Sequence, residues 1–291
     1  CLLFGSAAWA PVDVEAQWPE RPIRAIVPWP PGGSTDVVGR LVAADLTLRL
    51  KQTMVIDNRA GAGSIIGLQT GSQAPPDGYT LLITSTAYGF LIDQPNPPVD
   101  LVDSFAPVAM LGYSDGAFTV TPTLPVKSVK ELLALAKARP GALTYASSGI
   151  GGFPHLNTEL LKIITGVDIL HVPYQGGGPA AISAMAGNTQ VYFGSLPTVM
   201  TQINAGRLKL LATGGLQRNP ELPNVPTVSE TVPGYETYIW FGMFAPRSTP
   251  AAVIARVHDA VNEGMASPDL VKKLALQGAV PKMMSSAEFG K

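Results

Sequence analysis

The residues in this chain best suited to chemistry are glycines and hydroxyls, not acids and bases. Gly32, Gly33, Ser34, Thr35 and Asp36 follow an apolar run (Ile23, Ala25, Ile26, Val27) and three prolines, Pro28, Pro30 and Pro31. The apolar run reads as a buried strand, and the prolines end it by withholding the N–H groups a ladder needs. Val37, Val38, Leu41, Val42 and Leu46 then recur at helical spacing. Ser34, Thr35 or Asp36 is placed to cap that helix. Glycine lets backbone come close to a ligand, and a helix start offers free N–H groups and a partial positive charge, which suits an anion. Read alone, the pattern serves an ordinary βα turn equally well.

The pattern recurs, which implies that the elements are arranged to repeat it. Met54–Ile56 precedes a second glycine loop, Asp57 to Gly63, and Tyr79–Thr84 is a strand ending at Ser85 and Thr86. Further on, the strand Leu143–Ala146 meets Ser147, Ser148, Gly149, Gly151 and Gly152, and the strand Asp168–Val172 meets Tyr174, Gly176, Gly177 and Gly178. Gln190–Gly194 ends at Ser195. Gly32 and Gly149 are 117 residues apart and Gly61 and Gly176 are 115 apart, with the elements in the same order. Two βαβαβ lobes facing each other across a cleft follow, with helix N-termini converging on one anion. The expected division is a leader over 1–17, a first lobe over 18–118, a second over 119–225 and a return to the first over 226–291. Val108–Leu111 and Phe118–Thr121 read as separate strands, and residues 87–103 as a long loop or lid.

Composition limits the alternatives. The 291 residues are 46% apolar and 14% charged with net charge −1, so there is no disordered chain and no basic field for nucleic acid. Cys1 is the only cysteine, and His155, His171 and His258 lack metal-ligand spacing. Gly149–Gly151 is an incomplete dinucleotide fingerprint, and neither a Gly-Lys-Ser/Thr phosphate loop nor a Gly-x-Ser-x-Gly elbow is present. No cofactor and no metal is expected. Cys1–Ala10 reads as the end of a signal-peptide apolar region, with Ala8–Ala10 or Val14–Ala16 as cleavage sites, or else as a buried N-terminal segment. Ser285 and Glu288 form a capping box whose helix finds no room before Lys291, so a C-terminal helix is expected to be missing.

Several of these segments carry a family resemblance: Val27–Asp36, Asn58–Gly63, Asp77–Leu82, Ser148–Gly151 with His155, Val172–Pro179, Leu222–Thr227 and Trp240–Pro246. Together they resemble the Bug-type periplasmic receptors of tripartite tricarboxylate transporters, from about Trp18 to Phe289. The resemblance implies an α/β type II periplasmic-binding-protein fold, two lobes joined by hinge strands around a central ligand cleft. It implies a non-enzymatic, monomeric periplasmic receptor that captures a small carboxylate and hands it to membrane permease subunits. A di- or tricarboxylate, an acidic amino acid or an aromatic acid all fit.

Carried over, the ligand contacts are Trp29, Pro31, Gly32, Gly33, Ser34, Thr35, Asp36, Ser85 and Thr86 from the first lobe. From the second come Ser147, Ser148, Gly149, Gly151, His155, Tyr174, Gly176, Gly177 and Ser195. His155 also fits a purely local role at a helix start, and Trp29, Tyr88 and Tyr174 fit either ligand stacking or packing. The chain departs from the family at Ser64-Ile65, where a Gly-Asn pair is common, and at Gln190, near which an acid is common. If Ile65 faces the cleft, the ligand is less polar, of the aromatic kind. The competing readings are an α/β transferase or hydrolase acting on a carboxyl- or phosphate-bearing molecule, and the effector domain of a transcription factor.

Overall fold

The computed structural model describes residues 18–86 and 97–291. The expected leader, residues 87–96 of the expected lid, and Tyr88 lie outside the described residues.

Strands β1 (Ile23–Val27), β2 (Met54–Asn58) and β3 (Thr80–Ser85) run parallel, in the order β2-β1-β3. The chain then enters β4 (Phe105–Val120), one continuous 16-residue strand where two short ones were expected. Residues 101–104 of the expected loop form a helical turn, α3 (Leu101–Ser104), capped by the Asp100 carboxylate. Along one edge, β4 pairs first with β9 (Tyr238–Pro246) and then with β8 (Lys209–Thr213). Along the other edge it pairs with the short β10 (Ala279–Val280) and then β7 (Val191–Ser195). Parallel β5 (Thr144–Ser147) and edge strand β6 (Leu170–Pro173) complete the second half. A single strand thus belongs to two sheets.

Alternation along each strand feeds a core on both faces. In the first half, Ala25 and Val27 face α1 (Ser34–Leu50), α8 (Ala251–Met265) and α9 (Pro268–Ala275), while Ile26 faces Leu68 of α2 (Ile65–Ser72) and Phe105. In the second half, Val191 and Phe193 pack with Leu132 of α4 (Val129–Ala138) and Leu161 of α5 (Phe153–Thr165). The intervening Tyr192 turns to the opposite face, against the alanines of α6 (Gly177–Met185) and Val199 of α7 (Leu196–Asn204). Helices cover both faces of mixed sheets whose outer strands, β2-β1-β3 and β7-β5-β6, run parallel, an α/β arrangement.

The two crossings between the halves meet at one point. Gly116 N–H donates to the Thr237 carbonyl (3.3 Å), Thr237 N–H to Gly214 (2.9 Å), and Gly214 N–H back to Gly116 (2.8 Å). A Cβ on Gly214 would stand 2.7 Å from the Thr237 carbonyl oxygen, so the crossing strands lie too close for any other residue. At the chain's end the Ser285–Glu288 capping box forms and starts a single turn, α10 (Ser286–Phe289), whose Phe289 ring packs 5.0 Å from Phe244.

Candidate functional site

Between the two lobes lies a cavity of about 40 Å³. The first lobe lines it with Trp29, Gly33, Ser34, Thr35, Ser85 and Ile239, and the second with Ser148, Phe153, Pro154, Gly177, Tyr192, Ser195 and Thr198. No charged side chain is among them. The positive potential comes instead from helix ends. The first turns of α1, α5, α6 and α7 all border the cavity, and none of the four has a side-chain cap. Gly33, Gly152, Gly176 and Ser195 hold the N-cap positions. An uncapped first turn leaves N–H groups without intrahelical partners, and their aligned dipoles favour an anion. The expectation that Ser34, Thr35 or Asp36 caps α1 is therefore corrected: the cap residue is Gly33, and the side chains beyond it serve other ends.

Asp36 is one of these. It is buried, and its carboxylate accepts from Gly32 N–H (3.0 Å), Arg40 Nε (3.1 Å) and Asn58 Nδ2 (2.9 Å). Asn58 donates in turn to the Trp29 carbonyl (3.0 Å). Both oxygens are engaged within the protein, so Asp36 shapes the 29–33 loop and does not line the cavity. The indole of Trp29 is the reverse case: its Nε1–H is buried with no acceptor. A buried donor left unpaired costs about 1–3 kcal/mol, and this one belongs to a side chain bordering the cavity.

The two glycine loops meet at the cavity's lip. A Cβ on Gly176 would stand 2.6 Å from Cδ of Pro30, and one on Gly178 2.9 Å from the Pro31 carbonyl oxygen. Phe153 of the second lobe reaches into the core of the first. The lobes are closed upon each other.

Of the expected ligand residues, Trp29, Gly33, Ser34, Thr35, Ser85, Ser148, Gly177 and Ser195 are brought together around the cavity. Pro31, Gly32 and Gly176 sit at its lip, and Asp36, Thr86, Ser147, Gly149, Gly151, His155 and Tyr174 do not line it. Thr86 Oγ1 accepts from Trp240 N–H (3.1 Å), and Tyr174 Oη bonds Ser183 Oγ (2.6 Å). Ser147, fully buried, places its Oγ 2.6 Å from His171 Nε2 and accepts from Gly149 N–H (3.1 Å). His155 Nδ1 accepts from Gly151 N–H (3.3 Å), and its ring lies 4.6 Å from that of His171. Burial lowers both histidines from their ordinary value, so the pair is neutral near pH 7 and supports the 147–152 loop.

Ile65 does not line the cavity, which removes the ground for an aromatic ligand. Gln190, near which an acid is common, accepts from Thr144 N–H (2.9 Å) through its amide oxygen. Five lining residues went unread: Phe153, Pro154, Tyr192, Thr198 and Ile239. Phe153 and Pro154 open the helix after a recognised glycine turn, and Thr198 sits in the first turn after Ser195, so all three carried a positional signal. Tyr192 and Ile239 lie inside strands and carried none.

The sequence matches the family described as the tripartite tricarboxylate transporter family receptor over residues 38–291. It is 37% identical to Protein BugT of Bordetella pertussis over 278 residues, 94% of this chain and 84% of that one. The fold is similar to that of Rpa4515 of R. palustris with adipate (TM-score 0.90, 35% identity, 94% and 92% of the two chains). It is also similar to MatC of Rhodopseudomonas palustris with bound malate (TM-score 0.83, 28% identity, 91% of each chain).

Proposed function

The chain belongs to the tripartite tricarboxylate transporter receptor family, and from that premise we propose that it is a monomeric periplasmic receptor for a short aliphatic dicarboxylate, delivered to the membrane permease of such a transporter. The observation that carries the reading is the convergence of four uncapped helix starts on one cavity between the lobes, with no charged side chain lining it among the described residues. Such a cavity compensates an anion with fixed dipoles at no cost in side-chain ordering. Adipate and malate in the similar structures are both dicarboxylates.

The cavity also argues about size and charge. Its volume of about 40 Å³ is well below the roughly 150 Å³ that accommodates a benzene ring. A linear diacid of four to six carbons enters only as the lobes part, and a branched tricarboxylic acid would part them further. An amino acid would bring an ammonium, and among the described residues no carboxylate lines the cavity to receive it, since Asp36 is fully engaged.

The proposed contacts are the N–H groups and hydroxyls of Ser34, Thr35, Ser85, Ser148, Gly177 and Ser195, with the Trp29 indole N–H. The ligand bridges the lobes and so favours the closed state over an open one, shifting the population about the Gly116–Gly214–Thr237 crossing. A thermal-shift and calorimetric screen of linear diacids at neutral pH tests this. A ligand that binds only the folded chain raises the melting temperature. Four- to six-carbon diacids should do so and be recovered unchanged. Failure of every diacid, or chemical conversion of one, would overturn the reading.

A further inference from the structure

Two glycines in the second lobe are explained by a single phenol. The ring of Tyr192 lies back across its own strand, where any side chain at Gly194 would overlap it. Its hydroxyl then ends 3.0 Å from the point a Cβ on Gly177 would occupy. The tyrosine is fully buried, yet its tip reaches the cavity. The same point beside Gly177 lies 3.7 Å from Thr198 Oγ1, which is itself 3.2 Å from Ser195 Oγ. Three hydroxyls, from residues that all line the cavity, gather at one place.

A cluster of hydroxyls behaves differently from a ring of backbone N–H groups. Three O–H protons are present and the Thr198–Ser195 pair uses one, so donors and free lone pairs remain for a ligand. The cluster can donate to a carboxylate or accept from an alcohol. Burial raises the Tyr192 pKa above its ordinary value, so the phenol keeps its proton and stays a donor at neutral pH. A ligand ending in a methyl group there would leave the cluster's remaining O–H groups without a partner.

Resting on the receptor reading above, we propose that Tyr192, Thr198 and Ser195 form the subsite for the ligand's second polar group, and that this subsite makes the receptor reject monocarboxylates. The carboxylate held by the helix starts supplies the capture common to all acids, and the hydroxyl cluster supplies the selection. Sites built to hydrogen-bond a ligand group discriminate strongly against analogues that lack it, because their own polar groups are then left unpaired.

The experiment is calorimetric titration of the full chain with butyrate, 4-hydroxybutyrate, succinate and adipate, for the wild type, Tyr192→Phe and Thr198→Val. In the wild type, the best diacid and 4-hydroxybutyrate should each bind at least about tenfold more tightly than butyrate, the size of one hydrogen bond to a polar partner. Tyr192→Phe keeps the ring between Gly177 and Gly194 and removes only the hydroxyl, so it should cut the diacid-to-butyrate affinity ratio about tenfold or more. Thr198→Val should lower the same ratio and decides the matter if the phenylalanine variant fails to fold. A wild type that binds a diacid while both variants keep its ratio overturns the subsite and leaves the receptor reading standing. A wild type that binds none of the four acids overturns both.

Discussion

Gly178 lies so close to Pro31 across the cleft that a methyl group on it would stand 2.9 Å from the proline's carbonyl oxygen. One residue belongs to the first turn of α6 and the other to the loop before α1, so the contact exists only while the lobes are together. Gly178→Ala should therefore separate two properties. Alanine is a better helix former by about 0.5–1 kcal/mol, so the melting temperature of the free protein should hold or rise slightly. Closure would meet the methyl, and diacid affinity should fall about tenfold. Calorimetric titration beside a thermal melt reads both, and an unchanged affinity would contradict the closed geometry.

Asp36 predicts the opposite pairing. Its carboxylate gathers Gly32, Arg40 and Asn58, and it is buried. Asp36→Ala leaves Asn58 and the Gly32 N–H without their acceptor, a loss of about 2–4 kcal/mol. Urea unfolding should show that loss. The weakened loop should lower affinity as well, although Asp36 does not line the cavity.

The His155–His171 pair sets a pH dependence. Burial lowers both from the ordinary 6.5, and His155 also disfavours protonation of His171, while Glu159 opposes and Lys162 reinforces both shifts. The folded chain thus binds fewer protons than the unfolded one just below that value. Stability is full above about pH 6.5 and falls as pH drops from there toward the lower folded values. Unfolding free energy measured from pH 7.5 to 5 should decline in the wild type, and the double variant His155→Asn, His171→Asn should flatten the slope. Glu159, held low by Lys162 and Tyr145, contributes only at more acid pH.

Trp29 carries the last prediction. Its indole N–H is the buried cavity-side donor without an acceptor. Trp29→Phe keeps most of the ring and removes the donor. Affinity for every bound acid should fall by about tenfold, the worth of a hydrogen bond to a charged group. If stacking is its role, phenylalanine should bind nearly as well, and titration tells the two apart.

Much of this fold was legible because its signals are local. Glycine turns after apolar runs placed the starts of α1, α5 and α6, and the capping box at Ser285 forms. Other features depend on pairing between distant segments. Nothing between Val108 and Thr121 announces that one strand serves two sheets, since Gly112 and Gly116 look like breaks. Both are glycines because other segments press on them: the Val280 carbonyl at Gly112, and the Thr237 side chain at Gly116. Within the site, residues next to a turn could be found by position. Asp36 was misassigned because an acid two residues after a serine reads as a cap, while its actual partner is the loop before it. Tyr192 gave no sign because its role depends on two glycines, one of them distant in sequence.

The charge of the ligand has an electrophoretic consequence. Among the described residues no lysine or arginine lines the cavity, and a bound dianion makes the particle more negative by its own two charges, with only a closing movement in shape. Filled and empty receptors should separate on a native gel or an anion-exchange column. A basic docking surface on a membrane component would favour the loaded over the empty receptor by that difference.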